Sequence, residues 1–352
     1  MHLINRNILV KSRLRYLLIA ATIFAGPAIM GAGCSSTSPT DLAQVVEEVT
    51  WKPNESGMLA LAEKTTQSAI DYSTYETFSI YNVGADGGIG QPLNTPQPQI
   101  TNYFPPTLYL SKDGNTAIAQ LGNDIYRIDL PGNSSTDIIQ VANLLAVSPD
   151  FKYLLSTDMA AGALSKLCTI YDISANPIRR VLQFTAVGVT AGRGLWLENG
   201  LFALTHYDTS GYSHINIYDT TGTTVLQIPN AEAAFHASAF SPLSHDLFVR
   251  TNTEGIDKIN LQTKVRTGVI TQDSVGSMDA SADGTLLAYS SNSLARSYNL
   301  YEVNVADTSK KVEIGQNAIA VVIAPNADRA AVIHYVDAYN SDIKTVGISV
   351  PQ

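Results

Sequence analysis

Cysteine is nearly absent: Cys34 and Cys168 are the only two in 352 residues. One possible pair excludes a disulfide framework, and no second cysteine stands near either to suggest a metal knuckle. Charged residues make up only 15% of the chain, and basic ones are the minority, with 22 Lys and Arg against 31 Asp and Glu. A surplus of acid argues against nucleic acid as a partner, because phosphate binding needs a basic surface. The motifs of common catalysis are missing too. There is no Gly-x-Ser-x-Gly elbow, no His-Glu-x-x-His pair, no phosphate loop and no paired catalytic carboxylates. The fragment Gly84-Ala-Asp-Gly-Gly-Ile-Gly90 is rich in glycine. It lacks the strand-to-helix setting that nucleotide binding requires.

What is present begins with a targeting segment over residues 1–33. Arg6, Lys11, Arg13 and Arg15 form a basic start, Tyr16 to Met30 is largely apolar, and Gly31-Ala32-Gly33 are small residues before Cys34. This order resembles the lipobox of bacterial lipoproteins, in which the cysteine becomes the acylated amino terminus. The resemblance implies lipid attachment at Cys34, a flexible polar tether over 34–43 and a folded domain over 44–352. It also implies a cell-envelope location, with Ser35 after the cysteine favouring the outer membrane. Removing residues 1–33 takes away four basic side chains and no acidic ones, so the mature balance is 18 against 31, or −13. Cys168 then remains as a lone thiol in the apolar run Leu167-Cys168-Thr169-Ile170. That setting suits a buried structural residue.

The folded region repeats. An aliphatic residue, usually followed by Tyr, opens a short alternating strand at Ile80-Tyr81, Ile125-Tyr126, Ile170-Tyr171, Ile217-Tyr218, Ile256-Asp257, Leu300-Tyr301 and Thr345-Val346. The steps between second positions are 45, 45, 47, 39, 44 and 45. Upstream of most markers lies strand–turn–strand, clearest in Leu145-Ala-Val-Ser148-Pro-Asp150-Phe-Lys-Tyr-Leu-Leu155 and Met278-Asp-Ala-Ser281-Ala-Asp-Gly284. Asp folding back on its own backbone and Gly at positive φ are turn chemistry. Four strands every ~40–45 residues is the pattern of a propeller blade. The expected fold is therefore all-β, a seven-bladed β-propeller of four-stranded blades, closed by an amino-terminal strand. The third blade should place its strands near 143–148, 152–157, 167–173 and 178–184. The last repeat ends almost at the terminus, so Val45-Val46-Glu47-Glu48-Val49 is expected to supply its missing strand. On its Ser-Pro-Asp turns and Ile-Tyr-Asp strands the chain resembles the TolB-type and WD-repeat-like propellers of bacterial envelope proteins.

Counting back five residues from each turn places Pro106, Asn143, Gly192 with Arg193, His236, Gly276 and Ile319 at the channel. That ring holds no carboxylate, so no metal or other cofactor is expected. Asp279 is a possible further member if its side chain points inward. Asn143, Arg193 and His236 are the candidate channel residues. A second constellation falls between strands b and c: His206, Tyr207, Tyr212 and His214 in blade four, and His334, Tyr335 and Tyr339 in blade seven. Each leading His precedes its repeat marker by the same interval. Tyr72 and Tyr75 occupy the matching loop of blade one, and Tyr289 and Tyr298 flank that of blade six. Tyrosine offers large contact area at low entropy cost, which suits recognition. The expected function is a membrane-anchored, non-catalytic scaffold binding an envelope protein or a surface glycan. The alternative is a lactonase-like envelope hydrolase using the channel.

Overall fold

The computed structural model describes residues 40–67, 74–96, 107–157, 165–189, 194–198, 200–232, 237–271, 273–292, 298–336 and 340–351. Among these residues every regular element is a strand. Blade one holds β1 (Thr40–Trp51), β2 (Gly57–Gln67), β3 (Thr74–Gly84) and β4 (Ile89–Pro92). Blade two holds β5 (Thr107–Leu110), β6 (Thr116–Leu121), β7 (Asp124–Asp129) and β8 (Ser134–Gln140). Blade three holds β9 (Asn143–Val147), β10 (Tyr153–Thr157), β11 (Ser165–Asp172) and β12 (Arg179–Val187). Blade four holds β13 (Leu195–Trp196), β14 (Phe202–Tyr207), β15 (Ser213–Tyr218) and β16 (Thr224–Pro229). In blade five, β17 (Ala231–Glu232) and β18 (Ser238–Ser241) both pair with β19 (Asp246–Thr251), followed by β20 (Gly255–Asn260) and β21 (Arg266–Thr271). Blade six holds β22 (Val275–Ala280), β23 (Leu286–Asn292), β24 (Tyr298–Asn304) and β25 (Lys311–Gly315). Blade seven holds β26 (Ala318–Ile323), β27 (Arg329–Tyr335) and β28 (Ser341–Gly347). Each sheet is an antiparallel meander whose strands are named a, b, c and d outward from the channel, with an extra two-residue strand in blade five and strands a to c described in blade seven. The seven-bladed propeller expected from the repeats is the observed fold.

Local chemistry explains the hairpins. Ser148 Oγ donates to Asp150 Oδ1 at 2.6 Å, and Ser281 Oγ donates to Asp283 Oδ1 at 2.6 Å. Gly284 then turns the chain at φ 73°, a conformation that glycine adopts without a steric cost. The alternating strands send their apolar residues into the seams between blades. Leu145, Leu155, Cys168 and Ile170 of blade three pack with Trp196, Phe202, Leu204 and Tyr218 of blade four. Cys168 is fully buried there, as its apolar surroundings suggested.

Polar side chains stitch the inner strands together. Glu48 Oε2 accepts the N–H of Leu108 at 2.6 Å, and Gln120 Oε1 accepts that of Leu144 at 2.7 Å. Ser277 Oγ accepts from Val321 at 3.2 Å, and Asp279 Oδ2 from Ile323 at 2.8 Å. Each bond crosses from one blade to the next and satisfies a backbone donor that a short inner strand leaves over.

The amino-terminal strand takes part in closing the ring, but not as the missing strand of the seventh sheet. It is the inner strand of blade one, paired with β2 from Trp51↔Met58 to Thr40↔Gln67. Its other side meets blade seven. Val46 N donates to Ser341 Oγ at 2.7 Å, Trp51 Nε1 donates to Val322 O at 2.9 Å, and Asn326 N donates to Glu55 Oε1 at 2.6 Å. Val46, Val49 and Trp51 share a core with Ala320, Ile333 and Ile343. The reason for the difference is burial on both faces: an apolar strand wedged between two blades matches either one by pattern alone. The strand also starts at Thr40, so residues 40–43 belong to the sheet rather than to the tether. The seventh sheet has three strands among the described residues. The chain beyond β28 turns to blade six, where Ser349 N donates to Glu302 Oε2 at 3.1 Å and Asn304 Nδ2 to Pro351 O at 3.1 Å.

Candidate functional site

Antiparallel order puts the b–c hairpins and the d–a connections on one face of the ring, and the a–b and c–d turns on the other. The channel expectations separate accordingly. Asn143 is the first residue of β9, opposite Thr157, and is buried. Arg193 and His236 lie outside the described residues. Gly276 and Ile319 fall on bulges, between Val275 and Ser277 and between Ala318 and Ala320. Bulges re-aim the side chains around them. Asp279 turns sideways into the seam, where burial raises its carboxyl to about 6 against the hydrogen bonds from Ile323 and Ala280. Among the described residues no group of three or more His, Cys, Asp or Glu side chains is placed to hold a metal ion.

The blade-four corner of the b–c face is built in two levels. Below, His206 is buried at 2% exposure. Its Nδ1 lies 2.6 Å from the Val187 carbonyl, so Nδ1 carries the proton and donates. Nε2 then accepts from the Tyr218 hydroxyl at 3.0 Å. His214 stacks on the His206 ring with centroids 5.3 Å apart. Burial pushes the His206 pKa down, more than the Val187 contact raises it, and His214 lowers it further. This histidine is a neutral strut rather than a surface contact.

Tyr207 is also a support. Its hydroxyl donates to Glu232 Oε1 at 2.5 Å, and Glu232 is ion-paired with Arg250. Arg250 Nη1 reaches the Val275 carbonyl at 3.1 Å, which carries the network into the seam with blade six. Above these supports stand Tyr212, 61% exposed, and Val187, 64% exposed. The d–a connection that follows Val187, the last residue of β12, runs beside β14, where Tyr207 N donates to Gly188 O and Val189 bridges His206. Asp208 holds the hairpin that carries Tyr212, accepting the N–H groups of Ser210 and Tyr212 at 2.8 and 2.9 Å.

The blade-seven corner also has a histidine, here half-buried and held by the adjacent strand. His334 Nδ1 donates to Asp342 Oδ1 at 3.0 Å, and Lys344 Nζ donates to His334 Nε2 at 3.3 Å. Tyr335 and Val336 are exposed at 36% and 54%. A shallow cavity of about 290 Å³ opens beside them, lined by His334, Lys344, Gln316, Asn317, Leu300 and neighbouring apolar residues. Tyr72 and Tyr339 lie outside the described residues, as does the side chain of Tyr75.

Sequence reasoning missed a further network, at the connection between blades five and six. Asp273 of the blade five–six connection accepts from the Tyr289 hydroxyl and Lys311 Nζ, each at 2.7 Å, and from Ser291. Burial raises the Asp273 pKa, but the Lys311, Ser291 and Tyr289 hydrogen bonds outweigh it and hold the carboxyl below its usual range. Lys311 also lies 3.9 Å from the centroid of Tyr301. Tyr289 is fully buried and belongs to this interior network. Glu232 and Asp273 occupy corresponding d–a positions, a signal visible only once the blades are aligned at those connections.

No family model matches the chain, and no curated protein matches it. Solved structures do. An oligogalacturonate lyase in complex with manganese aligns with a TM-score of 0.61 and 11% identity, over 88% of this chain and 91% of that one. An oligogalacturonate lyase from Vibrio parahaemolyticus gives 0.63 and 10%, over 90% and 92%. The Cps50 (Swd1) β-propeller domain of Myceliophteria thermophila gives 0.58 and 12%, over 89% and 100%. At such identities the likeness is one of fold, and this chain is a seven-bladed β-propeller.

Proposed function

We propose that this chain is a lipid-anchored cell-envelope propeller, acting as a non-catalytic scaffold that binds a protein through its b–c face. The observation that carries the reading is the blade-four corner, where Val187 and Tyr212 stand exposed over a rigid base of His206, Tyr218, Tyr207, Glu232 and Arg250. Exposed side chains on immobile supports lose little entropy on binding. The aliphatic Val187 and Val336 beside Tyr212 and Tyr335 suit a protein partner better than a glycan. The inner-strand carboxylates Glu48 and Asp279 accept backbone N–H groups of neighbouring blades, which supports a structural use over channel hydrolysis.

The test is a pull-down from detergent-solubilised membranes with the wild type and a Val187→Ser, Tyr212→Ser, Tyr335→Ser triple variant. The variant is expected to keep its melting temperature and lose its partner at least ~10-fold, the scale of one interface hot spot. Full partner recovery by a normally folded variant overturns the reading.

A further inference from the structure

Blade one is taller than its neighbours on one side only. β1, β2 and β3 have 12, 11 and 11 residues, whereas β5, β6 and β7 of blade two have 4, 6 and 6, and β26, β27 and β28 of blade seven have 6, 7 and 7. The extra length lies at the b–c end. Gln44 bridges Asn340 at the start of β28, yet pairing continues past that level to Thr40↔Gln67 and Gln67↔Thr74. Four further residues of strand project about 13 Å beyond it. The chain therefore enters the propeller from the tip of a ribbon that rises on the b–c face beside the channel.

Cys34 precedes Thr40 by six residues. Whatever path they follow, six residues span at most about 21 Å. For the opposite face to meet the membrane, the tether would have to cross the blade's four strands and descend their height. The crossing is about 14 Å, and descending strands of 11 to 12 residues adds about 36 Å, together well beyond its reach. The inner position of β1 thus restricts the orientation more than a tether at the rim would.

We infer that the b–c face is turned toward the membrane that holds the lipid, and that its partner is an extramembrane segment of a protein in that same membrane. The inference rests on the anchor and the binding face proposed above and adds the direction and source of the partner. Ribbon and tether leave a gap of at most about 34 Å. That is the width of a domain of ~100 residues, so loops and small domains fit and larger free proteins do not. The bilayer itself is a poor ligand for the face, since the mature chain carries −13 and envelope lipid surfaces are commonly anionic.

The experiment places one dye on each face of the lipidated protein in vesicles carrying a headgroup-labelled quencher. Ser210→Cys marks a b–c turn and Lys112→Cys an a–b turn, both at exposed positions, while Cys168 is buried. Quenching at position 210 is expected to exceed that at 112 at least twofold, and to equalise when about twenty flexible residues are inserted after Pro39. Equal or reversed quenching in lipidated protein overturns the inference and leaves the anchor standing. Protein that takes up no lipid overturns the anchor and the inference together. A photo-crosslinker at Tyr212 in intact membranes is expected to capture an integral membrane protein. Capture of only soluble proteins overturns the assignment of the partner.

Discussion

The Asp279 carboxylate of blade six accepts the backbone N–H of Ile323 in blade seven at 2.8 Å. A side chain that the sequence offered to the channel is thereby committed to joining two blades. Glu48 makes the same kind of bond to Leu108 at the other side of blade one. The inner ring is held by such crossings as much as by apolar packing.

Asp279 confers a pH dependence of defined sign. Its folded pKa of about 6 exceeds the ordinary 3.8 because of burial. The folded state then binds more protons than the unfolded state between these values, so the contribution is fully present below 3.8 and is lost as pH rises through about 6. The loss is at most about 3 kcal/mol. Asp279→Asn keeps an acceptor and does not titrate. Thermal melts of both proteins from pH 4 to 7.5 should show the wild type falling relative to the variant. Parallel curves would mean that the carboxyl is not held in this state.

Trp51 latches the first blade to the last. It is nearly buried, its indole N–H donates to Val322 O, and Arg329 lies 5.3 Å from its ring. Trp51→Phe should cost about 1–2 kcal/mol through the orphaned carbonyl and the lost ring area. Trp51→Ala should cost about 3–5 kcal/mol. Urea denaturation measures both, and a neutral Trp51→Ala variant would show that the seam is closed by other contacts.

Tyr207 and Tyr212 are neighbours in one hairpin, the first hydrogen-bonded to Glu232 and the second exposed. Tyr207→Phe removes a hydroxyl from Glu232 and should lower stability by about 1 kcal/mol, with partner binding largely retained. Tyr212→Ser should leave the melting temperature in place and weaken binding. The two effects exchanged between the variants would reverse the assignment of support and contact.

Lipid attachment is expected at Cys34. Metabolic labelling with a fatty-acid analogue should mark the wild type and not Cys34→Ala, and the variant should leave the membrane fraction. Persistent labelling of Cys34→Ala would move the anchor elsewhere.

The blade repeat was legible because one strand of each blade recurs at intervals of 39 to 47 residues, with an Ile-Tyr pair in four of the seven. The third blade shows how far this reaches: strands expected at 143–148, 152–157, 167–173 and 178–184 form at Asn143–Val147, Tyr153–Thr157, Ser165–Asp172 and Arg179–Val187. The neighbour of β1 was not legible, since alternation records that a side chain is covered but not by what. Nor were the roles of His206 and Tyr207. Their partners Val187, at the end of β12, and Glu232, in the two-residue β17, take their positions beside β14 only when adjacent blades dock. Asp279 and Glu48 each interrupt an apolar strand, which marks a buried polar group without naming the backbone it serves.

The bonds between blade one and blade seven join residues 271 to 296 positions apart. A chain emerging from its amino terminus must therefore make Val46, Val49 and Trp51 long before Ile333 and Ile343 exist to cover them. Contacts of such separation form slowly, and apolar surface awaiting them is prone to aggregation. Folding of this ring finishes at its beginning. The last strand to be synthesised completes the shelter of the first, so a nascent chain halted before residue 341 lacks the strand that shields its opening one.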